Sequence, residues 1–178
     1  MLISIEEVKK IDEFSSIPEN TLKRKLDAIE QAIRQVTNNN FQNRLKRIVA
    51  SSSDNKLNGT SLYFKVGDTI QISEGINSGL YVISSINGET ITFDNDIYDS
   101  ECNLCTKIEY PADVIEGALK VLSWELKNAD KTGVASESET LSRHSYSVTY
   151  KSYDSTNTIG GYPEELFNFC RNYGKARF

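Results

Sequence analysis

The sequence predicts an α+β fold, a small helical bundle of about four helices with an inserted small antiparallel β domain. Three observations carry this expectation. Apolar residues recur at helical spacing from Leu22 to Val36, change to period two between about Leu45 and Ile108, and return to helical spacing after Pro111. The expected division is a helical domain over 1–44 and 110–178, with an extended arm and a C-terminal tail, and an inserted β domain over 45–109.

Each element has its own signal. Ser4-Ile5-Glu6-Glu7 and Ser16-Ile17-Pro18-Glu19 both fit the Ser-x-x-Glu capping box, which satisfies free backbone N–H groups at a helix start. The second of these helices carries Leu22, Leu26, Ile29, Ile33 and Val36 as one stripe, ended by Asn38-Asn39-Asn40. Short strands are then expected where Leu62, Phe64 and Val66 alternate, at Ile70 and Ile72, at Tyr81 to Ile86, and at Thr90 to Phe93. Gly67-Asp68, Asn77-Ser78-Gly79 and Asn87-Gly88 supply the turns between them. So many short strands suggest a small barrel or curled sheet, and Phe64 to Ile70 resembles the opening hairpin of SH3-like barrels.

After Tyr110-Pro111, Ile115, Ala118, Leu119, Leu122 and Leu126 line one helix face, widened by Val114, Val121 and Trp124. A polar stretch leads to the alternating Tyr146-Ser147-Val148-Thr149-Tyr150, a strand or an extended arm. Gly160-Gly161 marks a turn, and Pro163-Glu164-Glu165 opens a last helix contributing Leu166, Phe169, Cys170 and Tyr173.

The chemistry-bearing residues select no reaction. Cys102 and Cys105 have the gap of a zinc knuckle, but no second pair completes four ligands, so the expectation is two small residues in a loop and no metal. Asp94, Asp96, Asp99 and Glu101 lack the glycine and spacing of a calcium loop and read as a solvated acidic loop. His144 is the only histidine, and no nucleophile motif accompanies it. No Gly-rich phosphate loop occurs, and the sequence implies no cofactor. A net charge of −5 argues against a surface built to neutralise nucleic-acid phosphates. No apolar run is long enough to span a membrane, and the N-terminal residues do not read as a signal peptide; synthesis in the cytoplasm is the expectation.

Two basic clusters stand out, Lys23-Arg24-Lys25 with Arg44, Lys46 and Arg47, and Arg171, Lys175 and Arg177 near the C-terminal end. The second lies among Tyr173 and Phe178, an aromatic-basic tail suited to a groove on a protein partner.

The paired N-terminal helices, Tyr110-Pro111-Ala112-Asp113-Val114 opening a third, Glu137-Ser138-Glu139, and then Tyr146-Ser147-Val148-Thr149-Tyr150 resemble the head-tail connector (adaptor) family of tailed phages. The likeness covers roughly residues 1–44 and 110–178, and the strand-rich insertion departs from shorter members. It implies a structural, non-enzymatic subunit of a virion neck, assembled in the host cytoplasm. Such subunits form a ring, commonly of twelve, under a portal protein, and offer the lower face to a stopper or tail-completion protein. DNA passes through the channel as cargo. On this reading Glu137, Glu139, Tyr146, Val148, Tyr150 and Tyr153 form an intersubunit arm, and Arg171, Tyr173, Lys175, Arg177 and Phe178 form a portal-binding tail. The rival reading is a binding module that uses an SH3-like β domain, or another phage assembly component.

Overall fold

The computed structural model describes residues 2–128, 136–141, 144–149 and 158–176. It is α+β, and it divides into two compact units: Met1–Ile17 with Asn39–Pro111, and Pro18–Asn38 with Ala112–Phe178. This division differs from the expected one. Residues 1–17 group with the strands rather than with the helices, and the first strand already begins at Gln42.

In the first unit, helix α1 (Ile5–Lys9) starts as the capping motif predicts, with the Ser4 hydroxyl accepting from the Glu7 N–H at 3.2 Å. A 3-10 turn, Asp12–Phe14, follows. Six strands come next: β1 (Gln42–Ser53), β2 (Lys56–Asn58), β3 (Thr69–Ser73), β4 (Gly79–Asn87), β5 (Thr90–Phe93) and β6 (Ser100–Ile108). All neighbours pair antiparallel in the order β1-β2-β5-β4-β3-β6, and β6 returns to β1, so the sheet closes on itself. Closure removes the exposed sheet edges that invite aggregation.

The strand interiors hold Leu57, Ile70, Ile72, Ile83, Ile91, Phe93 and Cys105, joined by Phe64 and Ile97 from loops. Each large aliphatic side chain removed from water contributes about 1.5–3 kcal/mol. The Asn87-Gly88 signal is met by a two-residue loop in which Gly88 takes the positive φ of 61° and Asn87 pairs with Thr90.

The expected strand through Leu62, Phe64 and Val66 is absent. That segment is a succession of turns, fixed by Phe64 N–H to Ser61 O (3.0 Å), Asp68 N–H to Lys65 O (3.1 Å) and Lys65 N–H to the Asp68 carboxylate (2.8 Å). Only Phe64 turns inward, whereas Leu62 is 99% and Val66 62% exposed. Cys102 and Cys105 lie within β6 rather than in a loop. Their odd separation puts Cys102 outside and Cys105 in the core.

In the second unit, helix α2 (Glu19–Thr37) begins after Pro18, which makes no side-chain cap, so the expected cap at Ser16 does not form. The physical reason is Pro18 itself, which disfavours helical geometry at Ile17 before it. Leu22, Leu26, Ile29 and Ile33 are buried as the stripe predicts, but Val36 is exposed and Thr37 takes the inner position, donating to Ile33 O at 2.7 Å. Asn38 ends the helix in the left-handed region, φ 47°.

Helix α3 (Ala112–Asn128) buries Val114, Ala118, Val121 and Leu122 of the expected face together with Gly117, while Ile115, Leu119 and Leu126 are half-buried. Both helices lie against a 3-10 segment, Glu164–Tyr173. Its three-residue repeat buries Cys170 as expected and Phe167 beside it, while the expected Leu166, Phe169 and Tyr173 are only half-buried. Two hairpins complete the unit: β7 (Ser136–Leu141) with β8 (His144–Thr149), and β9 (Thr158–Ile159) with β10 (Tyr162–Pro163), the latter turning on Gly160 and Gly161 at φ 57° and 90°.

Candidate functional site

Up to Ala176, the expected tail is held by its own unit. Tyr173 donates its hydroxyl proton to Asp113, with oxygens at 2.7 and 2.8 Å, and this bond holds the phenol above its usual range. The Lys175 N–H donates to Thr37 O at 2.7 Å, and the Asn38 amide donates to Ala176 O at 3.3 Å. These bonds occupy the last carbonyl and C-cap of α2, a usual place for donors to gather. Arg171 and Lys175 nevertheless remain exposed, so their charges face outward from a backbone that is tied down. Arg177 and Phe178 lie outside the described residues.

The residues expected to form the arm fall on the β7–β8 hairpin, whose register sets Glu137 opposite Val148 and Glu139 opposite Tyr146. The backbone therefore brings four of the six expected arm residues into one two-stranded ribbon. Tyr150 and Tyr153 lie outside the described residues.

The strand unit adds, beside the basic Arg44, Lys46 and Arg47, an exposed apolar surface that the sequence did not single out. At one end, β1 carries a wide bulge: Gln42 pairs with Ile108 and Arg47 with Thr106, so Asn43 to Lys46 face Lys107 alone. The Leu45 N–H is taken up by the Asn43 side chain at 3.0 Å, and its own side chain is 91% exposed. Lys46 pairs with Glu109 at 2.5 Å and lies 5.9 Å above the Tyr63 ring, while Lys107 pairs with Asp68 at 2.6 Å and donates to Tyr63 O at 2.9 Å. These contacts gather the exposed Leu45, Leu62, Tyr63 and Val66 at one end of the sheet. Burial opposes the Glu109 charge, but hydrogen bonds from Lys46 and Asn43 and the charges of Lys46 and Lys107 outweigh it, so its carboxyl lies below the usual range.

The opposite end is held by a buried amide network. Asn77 donates to Ser52 Oγ (3.2 Å), Tyr98 O (2.8 Å) and Asn103 Oδ1 (3.0 Å), and its own Oδ1 accepts from the Tyr98 N–H at 2.8 Å. Asn103 in turn donates to Ala50 O and Ser52 Oγ, and Ser52 donates to Tyr98 O. The acidic loop expected to be solvated is thus pinned at its base. Its carboxylates stay outward, Asp96 accepting from Asn55 and Asp99 from the Asp54 N–H. Among the described residues no cluster of His, Cys, Asp or Glu has metal-binding geometry. No helix among them is long and apolar enough to cross a membrane.

Set against models of known protein families and against curated proteins, the chain matches none.

Proposed function

We propose that the chain is a structural head-tail connector (adaptor) subunit of a tailed-phage neck, acting in a ring of about twelve copies beneath a portal protein. On this reading the helical unit is a small bundle, the closed sheet is an SH3-like barrel inserted into it, a stopper or tail-completion protein assembles below, and DNA crosses the channel as cargo. The observation that carries the proposal is the order of elements: a helix, a strand-rich insertion, a second helix, the Tyr146-Ser147-Val148-Thr149 arm within a hairpin, and a short terminal helical segment. An acidic chain suits a lumen that must not grip the duplex, because like charge keeps phosphates away from the walls.

The test is the solution mass of the full chain, alone and mixed with the portal protein encoded beside it, by light scattering followed by negative-stain imaging. A closed ring, formed alone or on the portal, supports the connector role; a monomer indifferent to the portal overturns it. The tail is tested separately by Arg171→Glu combined with Lys175→Glu. Both side chains are exposed and make no hydrogen bond or ion pair among the described residues, so the fold is retained and portal binding falls at least about tenfold. Unchanged binding removes the tail from the portal contact.

A second reading, a binding module, draws on the exposed Leu45, Leu62, Tyr63 and Val66. Its signature is a monomer that captures a partner through those four residues.

A further inference from the structure

The strand unit is polar along its length. Because β1 and β6 run antiparallel, residues 42–47 and 106–109 lie at one end, and residues 52–55 and 100–101 at the other. The nine residues of β6 separate these ends by roughly 27 Å at about 3.3 Å per residue.

The first end is apolar and basic. Leu62, Leu45, Val66 and Tyr63 are 99, 91, 62 and 54% exposed, and they are drawn together by the Lys46 and Lys107 contacts. Lys46 and Lys107 are neutralised by Glu109 and Asp68, but Arg44, Arg47 and Lys65 are exposed and form no ion pair among the described residues. The other end is apolar and acidic. Ile76 and Tyr98, 68 and 67% exposed, are neighbours because Asn77 binds the Tyr98 backbone on both sides. Around them stand the exposed Asp54, Glu74, Asp96, Asp99 and Glu101, with Lys56 the one cation in the same turns.

We propose that these two ends are the halves of one interface, the basic end of one copy seating on the acidic end of the next. Two basic ends repel each other, as do two acidic ends, so the charges disfavour contacts between like ends, and with the two ends at opposite extremes of the unit an end-on contact is head-to-tail. The apolar residues at the two ends supply a dry centre, and the charges a rim. A copy cannot satisfy itself, because its ends lie too far apart. A head-to-tail contact repeats from copy to copy until the rotation closes it. The inference deepens the ring reading and rests on it for the closure, whereas the contact stands on the strand unit alone.

The test uses the full chain, alone and with the portal protein. Arg47→Glu and Glu101→Arg, at exposed positions with no side-chain partner among the described residues, each raise the concentration needed for assembly at least about fivefold, and together they bring it back to within about twofold of the native value. Leu62→Cys places a thiol at the basic end to meet the native Cys102 thiol, exposed on β6 beside Glu101. A short thiol crosslinker then yields a ladder of multimers in which peptide mapping joins position 62 of one copy to Cys102 of another.

A ring on the portal with no such link and inert charge reversals overturns the inference and leaves the connector reading intact. The link and the rescued reversals in a chain indifferent to the portal uphold the inference and overturn that reading. A chain monomeric under both conditions, or a link confined to one chain, overturns the inference.

Discussion

Cys105 is fully buried in the sheet interior, and that burial, with a smaller push from Cys102, raises its thiol to about 12. Cys170 lies on the buried face of the 3-10 segment, and burial with the nearby Asp113 charge raises it to about 11. Thiolate, not thiol, attacks an alkylating reagent, so both are doubly protected, by access and by protonation. Cys102 is exposed. At mildly alkaline pH, about 8, iodoacetamide should modify one thiol per native chain, at Cys102, and the other two only after denaturation. Mass spectrometry of the digested protein reads this out, and modification of Cys105 at the rate of Cys102 contradicts the burial. A second residue-scale expectation concerns Asn77, whose amide N–H groups meet three oxygens in a buried site. Asn77→Asp puts an oxygen and a charge against those same acceptors, and the cost is about 2–4 kcal/mol. Chemical denaturation measures it, and a loss below about 0.5 kcal/mol means the network is not closed as described.

At the scale of the element, α3 depends on having no side chain at Gly117. A Cβ there would lie 2.4–2.5 Å from ring atoms of Phe169. In an open helix Gly→Ala gains about 0.5–1 kcal/mol from reduced chain entropy. Here the clash reverses the sign, and Gly117→Ala should destabilise by about 1–3 kcal/mol. Adding Phe169→Ala removes the obstacle, so within that background Gly117→Ala becomes neutral or stabilising, and thermal melts of the four variants decide. The helix positions were legible because a 3.6-residue stripe is a local pattern; Leu22 to Ile33 is one, and its burial follows. Most of the α3 face was legible too, since Val114, Ala118, Val121 and Leu122 were all named from their spacing; Gly117 was not, because it carries no hydrophobic signal of its own and matters through the Phe169 ring that sits on it. Leu62 and Val66 misled for the converse reason. They alternate as a strand does, yet Asp68 and Gly67 fold the backbone into turns first. The exposed cluster at that end was therefore hidden behind a mistaken strand, while the pairing of arm residues 137 and 139 with 148 and 146 was within reach of their alternation.

For the molecule as a whole, the chain passes from α2 into the strand unit and returns to α3, so the helical unit is closed through a long excursion over 39–111. Each unit has its own apolar interior, Ile70 and its neighbours in one, Leu22, Leu26, Val121 and Leu122 in the other. Were the excursion unfolded, bringing its two ends together would cost the helical unit about 4 kcal/mol of loop entropy. That is a large share of a typical stability of about 5–15 kcal/mol, but not all of it. The two units should thus be coupled by chain closure without being one cooperative block. Ile70→Ala, at a position with no exposure, removes about 2–5 kcal/mol from the strand unit. Native-state hydrogen exchange should then quicken in β1 to β6 by the full amount of that loss. In α2 and α3, protection should hold until the strand unit's opening becomes cheaper than their own. Equal acceleration in both units would mean that the insertion and the helices unfold together as one cooperative block.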